Sequence, residues 1–75
     1  MMTRLVEALG DLGLEGEVTH AGHWLRLEGR RFPVYVVEVA WNGGYYTWCD
    51  GPGERAVEYY RDPTDAIEAG MRRAA

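Results

Sequence analysis

Apolar residues near the start of the chain recur at helical spacing. Leu5, Leu9 and Leu12 lie on one stripe of a helix that we predict over residues 3–12. Gly13 follows directly, and glycine readily adopts the left-handed conformation that ends many helices. The pattern therefore predicts a short N-terminal helix whose leucine stripe packs against the rest of the domain.

A second helix is predicted at the other end of the chain. Asp62 can act as its N-cap, because an Asp side chain accepts hydrogen bonds from free backbone N–H groups. Pro63 suits the first helical position. The apolar face of this helix consists of Ile67, Met71 and Ala74, with Gly70 beside them.

Between the two helices the apolar period changes to two, which is the period of a β-strand. The predicted strands are residues 15–19, 23–28, 32–41, 45–49 and 56–60, of which the first and last are weaker and suit sheet edges. We therefore expect a single α+β domain over residues 1–75. Its predicted architecture is a small two-layer domain, with an antiparallel meander of three to four strands flanked by an N-terminal and a C-terminal helix.

Turn lengths decide which side chains share a face of this sheet, because a one-residue slip turns a strand over. Asn42-Gly43 is typical of a two-residue hairpin loop, and we centre the preceding connection on Arg30. The face predicted to lie under the helices then consists of Leu25, Leu27, Tyr35, Val37, Val39, Tyr46 and Trp48. The opposite face consists of Trp24, Arg26, Val34, Val36, Glu38, Tyr45, Thr47 and Cys49. A three-residue loop over 42–44 would instead turn the last of these strands over.

The predicted open face is unusually apolar, since the exposed face of an antiparallel sheet is normally polar. Aromatic residues mixed with Arg are typical of a protein-binding surface. We therefore predict a non-enzymatic interaction or regulatory module that binds a protein partner or itself, for example as a homodimer. The predicted contact residues are Trp24, Arg26, Val34, Val36, Glu38, Tyr45 and Thr47. The alternative is a small nucleic-acid-binding module that stacks bases on the same aromatic residues.

Composition and charge exclude several classes of function. The chain contains no Lys, Ser or Gln, which removes the Ser nucleophile, the Schiff-base Lys and the phosphate-loop Lys, so we expect no enzyme. A net charge of −4 disfavours duplex nucleic acid and membrane surfaces, since both require clustered positive charge. Cys49 is the only cysteine and cannot form an internal disulfide. The sequence contains no apolar run long enough to span a membrane and no charged-then-apolar leader pattern, so we expect a cytoplasmic protein.

Two histidines are the best candidates for metal ligands. His20 and His23 flank a predicted turn, and Cys49 and Asp50 lie within reach across the sheet. Zinc needs three or four convergent ligands, and two His at this spacing with one Cys on a predicted strand are weak support for such a site. We therefore expect turn histidines, a packed cysteine, and no metal or cofactor.

The order of the predicted elements and one stretch of the chain each resemble known proteins. The order helix, three strands, helix resembles double-stranded-RNA-binding domains, whose second helix opens with basic residues. Here that helix opens Asp62-Pro-Thr-Asp65, so the resemblance implies the fold order without RNA binding. The stretch Gly44-Tyr-Tyr-Thr-Trp-Cys-Asp-Gly-Pro-Gly, with Asp62-Pro-Thr-Asp-Ala-Ile after it, is similar to short uncharacterised proteins of GC-rich actinobacteria. That resemblance covers about the C-terminal half and implies no activity.

Overall fold

The chain begins and ends with a helix, and a run of antiparallel strands lies between the two. The computed structural model describes residues 3–19, 24–39, 41–51 and 56–74. The elements in these ranges are α1 (Thr3–Asp11), β1 (Gly16–Thr19), β2 (Trp24–Glu28), β3 (Pro33–Glu38), β4 (Tyr45–Cys49), β5 (Glu58–Tyr60) and α2 (Pro63–Arg73). The strands pair antiparallel in chain order, β1-β2-β3-β4-β5. The α+β class and the meander are confirmed, and the sheet has five strands because both weaker segments join it.

Local signals set the ends of both helices as predicted. Gly13 has a φ of 70°, and the N–H of Leu14 donates to the carbonyl of Leu9 at 3.1 Å, which closes a Schellman motif after α1. At the start of α2, the Asp62 side chain accepts a hydrogen bond from the backbone N–H of Thr64 at 2.8 Å. These caps need no tertiary partner, so short-range sequence is enough to predict them.

Both helices contribute to one core on one face of the sheet. Helix α2 lies over β3, β4 and β5, and α1 packs beside α2. The core combines leucines of α1, small residues and Ile of α2, and the covered side of the sheet: Leu5, Ala8, Leu9, Leu25, Leu27, Val34, Val36, Tyr45, Ala66, Ile67 and Ala74. The opposite face of the sheet carries no helix from the described part of the chain.

The covered face of β3 and β4 is the reverse of the predicted one. Val34, Val36, Tyr45 and Thr47 were predicted to lie on the open face, and all four are fully buried beneath the helices. Burial raises the pKa of the Tyr45 hydroxyl above its usual value. The prediction for β2 is confirmed, since Leu25 and Leu27 are buried while the two residues that alternate with them, Trp24 and Arg26, lie on the other side.

A single connection explains the reversal. The N–H of Gly29 donates to the carbonyl of Phe32 at 3.1 Å, so the loop between β2 and β3 consists of Arg30 and Arg31 alone. Leu25 therefore lies opposite Val36, whereas a loop centred on Arg30 would place Tyr35 there. That difference of one residue turns β3 over relative to β2.

The next hairpin preserves the predicted relation between β3 and β4. The last pair joins Val39 and Gly44, where the N–H of Val39 donates to the Gly44 carbonyl at 2.8 Å. The loop is therefore longer than the two residues predicted, but the change is an even number, so Val37 and Tyr46 share a face as predicted and lie directly opposite each other. Gly43 has the positive φ, 75°, that the Asn-Gly pair predicts. Because the predicted sharing of faces between the two strands is retained, β4 is turned over together with β3.

Strand β5 is joined to the end of α2 by an ion pair. Arg73 Nε lies 3.3 Å from Glu58 Oε1, and the Tyr60 hydroxyl donates to the same carboxylate oxygen at 3.2 Å. The Arg73 guanidinium lowers the pKa of the Glu58 carboxyl. This contact fixes β5 at the sheet edge and so positions Tyr59 on the uncovered side.

Candidate protein-interaction face

The uncovered side of the sheet is organised in two cross-strand rows. In the first row, Trp24 lies opposite Val37, Val37 opposite Tyr46, and Tyr46 opposite Tyr59. In the second row, Arg26 lies opposite Tyr35, and Tyr35 opposite Trp48. Directly opposed residues share a face of the sheet. We define the open face as Trp24, Arg26, Tyr35, Val37, Tyr46, Trp48, Val57 and Tyr59.

The aromatic rings of the open face pack against one another. The Trp24 ring meets Trp48 edge to face, with centroids 5.2 Å apart and planes at 89°, and Tyr35 in a similar way at 5.6 Å. Tyr35 and Trp48 are stacked at 5.6 Å and 24°. Tyr46 and Tyr59 form a separate pair at 5.5 Å. Such pairs stabilise each other, so the rings of the open face support one another without a partner.

A shallow depression lies near the middle of the open face. Val37 is smaller than its aromatic neighbours and lines the depression with Trp24, Tyr46, Trp48 and Val57. The depression has a volume of about 290 Å³. Pockets for small molecules have volumes of roughly 300–1,000 Å³ and enclose most of the ligand, whereas this one is open. It suits a single apolar side chain of a larger partner.

Much of the apolar surface on the open face is accessible to solvent. Tyr46 and Tyr59 are each 40% exposed, and Val57 is 53% exposed. The Tyr59 ring lies over Gly44, where a Cβ atom would collide with it, so the ring is held at this position. Contiguous exposed apolar surface of this kind marks interaction sites on soluble domains.

One corner of the sheet beside the aromatic rows is acidic. Arg26 forms ion pairs with Glu17, at 3.9 Å, and with Glu28. Hydrogen bonds to Tyr35 and Glu28 raise the pKa of Arg26. Glu15 lines the same shallow surface, which we define as the acidic corner: Glu15, Glu17, Arg26 and Glu28. Three carboxylates against one guanidinium leave this corner with net negative charge.

The structure divides the predicted contact residues. Trp24 and Arg26 lie on the open face, as predicted. Four others, Val34, Val36, Tyr45 and Thr47, belong to the core, which excludes them from contact with a partner in the folded protein. Glu38 lies opposite Tyr45 on the helix-covered side and is partly buried. The residues that replace them on the open face are Tyr35, Val37, Tyr46, Trp48, Val57 and Tyr59.

The remaining sequence candidates lie partly outside the described residues. His20 and His23 are not among the described residues. Across the described ranges, no group of three His, Cys, Asp or Glu residues is arranged to hold a metal ion. Cys49 is packed, as predicted, but it lies opposite Val34 on the helix-covered side and contacts the core there, whereas the prediction placed it on the open face. Neither α1 nor α2 has the length and apolar character needed to cross a membrane.

Comparison of the chain with protein-family models, with curated proteins and with solved structures gives no match. The two resemblances noted in the sequence therefore stay predictions. Functional assignment rests on the open face and its surroundings.

Proposed function

We propose that this domain is a non-enzymatic module that binds a protein partner through the open face. The observation that carries the proposal is the first cross-strand row, which places Trp24, Val37, Tyr46 and Tyr59 side by side with no charged residue between them. Exposed aromatic residues are enriched at the energetic centres of protein interfaces. The helix-covered side supplies stability, and the opposite side is available for binding.

Ring packing in the free protein favours tight association. Binding normally costs side-chain ordering, about 0.5–1.5 kcal/mol for each flexible side chain that is immobilised. Trp24, Tyr35 and Trp48 are already held by their mutual contacts, so little of that cost remains. Affinity then comes from removing Tyr46, Tyr59 and Val57 from water, while the charged groups of the acidic corner orient the partner.

The same geometry disfavours base stacking by nucleic acid. Tyr35 and Trp48 stack on each other, and the edge of one Trp ring meets the face of the other, so these rings present few free faces for bases. Arg26 is the only cation on the open face, and carboxylates flank it. Binding of single-stranded nucleic acid requires a positive groove beside the stacking residues. These observations favour a protein as the occupant.

A reducing compartment such as the cytoplasm suits this proposal. Cys49 is the only cysteine of the chain, so no internal disulfide contributes to stability. The core and the helix caps do so instead. We therefore place the proposed interaction among cytoplasmic proteins.

Affinity capture with two matched variants tests the proposal. The tagged protein, Tyr46→Glu and Val6→Glu are each incubated with nuclease-treated lysate of the source organism. Val6 lies on α1 and is 47% exposed, so it receives the same charge at similar exposure but away from the open face. We expect Tyr46→Glu to recover the partner roughly tenfold less well, because a carboxylate is desolvated at an apolar interface. Val6→Glu should recover it as the unmodified protein does.

Thermal unfolding of both variants provides the control for folding. A partner that is recovered equally by Tyr46→Glu and the unmodified protein would contradict the proposal. So would a partner that is captured from untreated lysate but not from the nuclease-treated lysate, which would instead favour nucleic acid as the ligand.

A further inference from the structure

The size of the open face argues that it binds a small segment of a partner. Its uncharged part spans four strands and two rows. With strands about 4.8 Å apart and same-face residues about 6.8 Å apart, it measures roughly 19 Å by 14 Å. A stable protein dimer buries about 800 Å² per partner, which is about three times the area of this patch. A second copy would therefore have to bury charged surface as well, and both copies carry a net charge of −4.

The depression over Val37 defines where one apolar side chain of such a segment would lie. Trp24, Tyr46 and Trp48 line the depression beside Val37, so a side chain seated there contacts aromatic rings at its sides. Residues that carry most of the binding energy at interfaces occupy desolvated pockets of this kind. The depression therefore acts as the anchor position of the open face.

The acidic corner defines the charge of the segment. Glu17 lies two strands and one row away from Val37 in the sheet register. At the spacing of a β-sheet, this separation is about 12 Å, which four residues of extended chain span. The carboxylates of Glu17 and Glu28 are largely exposed, 67% and 74%, and so remain accessible to a cation from a partner. The turn residue Arg31 does not compete for this corner, because its guanidinium lies over the Phe32 ring.

We propose that the open face binds a basic segment of a protein partner. One large apolar side chain of that segment enters the depression over Val37, and a Lys or Arg within about four residues of it reaches the acidic corner. This inference rests on the proposed function and adds to it the chemistry of the bound segment. Hydrophobic contact supplies most of the affinity, and the carboxylates supply orientation and sensitivity to salt.

Selection from a displayed library of random twelve-residue peptides on the purified protein tests the inference. We expect the selected peptides to share an apolar anchor with Lys or Arg within four positions. One such peptide is then synthesised and its Kd is measured by titration. Val37→Trp fills the depression and should weaken binding roughly tenfold or more. Val18→Trp is the matched control, since Val18 is exposed on the edge strand β1 outside the open face.

A second pair of variants tests the role of charge. Glu17→Gln combined with Glu28→Gln should weaken peptide binding roughly threefold to tenfold at low salt. The control combines Glu7→Gln with Glu68→Gln, which changes the net charge equally but at exposed positions of the two helices. We expect the control to bind the peptide as the unmodified protein does.

Several results would overturn the inference. Selected peptides without Lys or Arg, or peptides insensitive to Val37→Trp and to salt, would contradict it. If Val37→Trp does not fold, Val57→Trp fills the same depression from a position that is 53% exposed. A stable dimer that Val37→Trp dissociates in sedimentation would identify a second copy as the occupant and would also overturn it. In each case, the proposed function would still be supported if Tyr46→Glu fails to capture the partner that the unmodified protein captures.

Discussion

Tyr45→Ala is expected to lower the free energy of unfolding by about 3–5 kcal/mol, whereas Tyr46→Ala should lower it by about 1–2 kcal/mol. Tyr45 is fully buried in the core, so its truncation leaves a cavity between the helices and the sheet. Tyr46 is 40% exposed on the other face, so its truncation removes contacts with Tyr59 and leaves no enclosed cavity. Urea unfolding followed by circular dichroism measures both values.

Substitutions at Tyr45 and Tyr46 should affect partner binding in the opposite order, with the larger loss at Tyr46. Tyr46→Ala is expected to fold and to lose the captured partner, because it removes part of the apolar surface of the open face. Tyr45→Phe, which retains the ring in the core, is the matched control and should retain the partner. An unfolding cost for Tyr46→Ala equal to or greater than that for Tyr45→Ala would mean that the helices cover the other face.

Alanine substitution at two helical glycines should change stability in opposite directions. Gly70 lies on the side of α2 that contacts the sheet, and a Cβ there would be 2.5 Å from Val34 Cγ1 and 2.6 Å from Thr47 Oγ1. Both neighbours are fully buried, so neither can move aside freely. Gly70→Ala should therefore destabilise the protein by about 1–3 kcal/mol through overpacking, although alanine favours the helix by about 1 kcal/mol.

Gly10→Ala is the control for that substitution. Gly10 lies in the last turn of α1, and a Cβ at this position would have no neighbour within 4 Å. The change should stabilise the protein by about 0.5–1 kcal/mol, because only the helix propensity changes. Denaturant midpoints of the two variants give the comparison. Stabilisation by both substitutions would show that α2 lies farther from the sheet than described.

Local sequence is sufficient to predict the elements of this fold, the end of α1 and the start of α2, whereas β3 and β5 are shorter than predicted. Gly13 ends α1 in a left-handed conformation, and Asp62 with Pro63 begins α2, because these features depend only on neighbouring backbone groups. The order of strand pairing follows from short hairpins, since consecutive strands with short connections become antiparallel neighbours. The class of fold and its meander could therefore be derived from pattern alone.

The assignment of faces could not be derived in this way. Alternate residues of β3 are apolar on both sides, so Val34 and Val36 give no preference over Tyr35 and Val37. The register depends on the Arg30-Arg31 loop, which contains no glycine or asparagine to indicate its length. The hydrophobic pattern of β3 and β4 is therefore compatible with either face being covered.

Where α2 contacts the sheet at Gly70, side-chain size rather than hydrophobicity distinguishes the two faces of β3 and β4. Helix α2 presents Ala66, Ala69 and Gly70 among its buried residues, and such a surface can approach a sheet closely only where the sheet side chains are small. Val34 and Thr47 meet that condition. The bulky rings of Trp24, Tyr35 and Trp48 do not, and they pack against one another instead. Close packing at Gly70 thus leaves Trp24, Tyr35 and Trp48 on the open face, where they are available to a partner.

Hydroxyl-radical footprinting of the free protein, read residue by residue by tandem mass spectrometry, tests the central claim most directly. Radicals oxidise aromatic side chains in proportion to their exposure to solvent. Tyr46 and Tyr59, each 40% exposed, should be oxidised severalfold faster than the fully buried Tyr45. Oxidation of Tyr45 at the same rate as Tyr46 or faster would contradict the assignment of the open face and the interaction proposed for it.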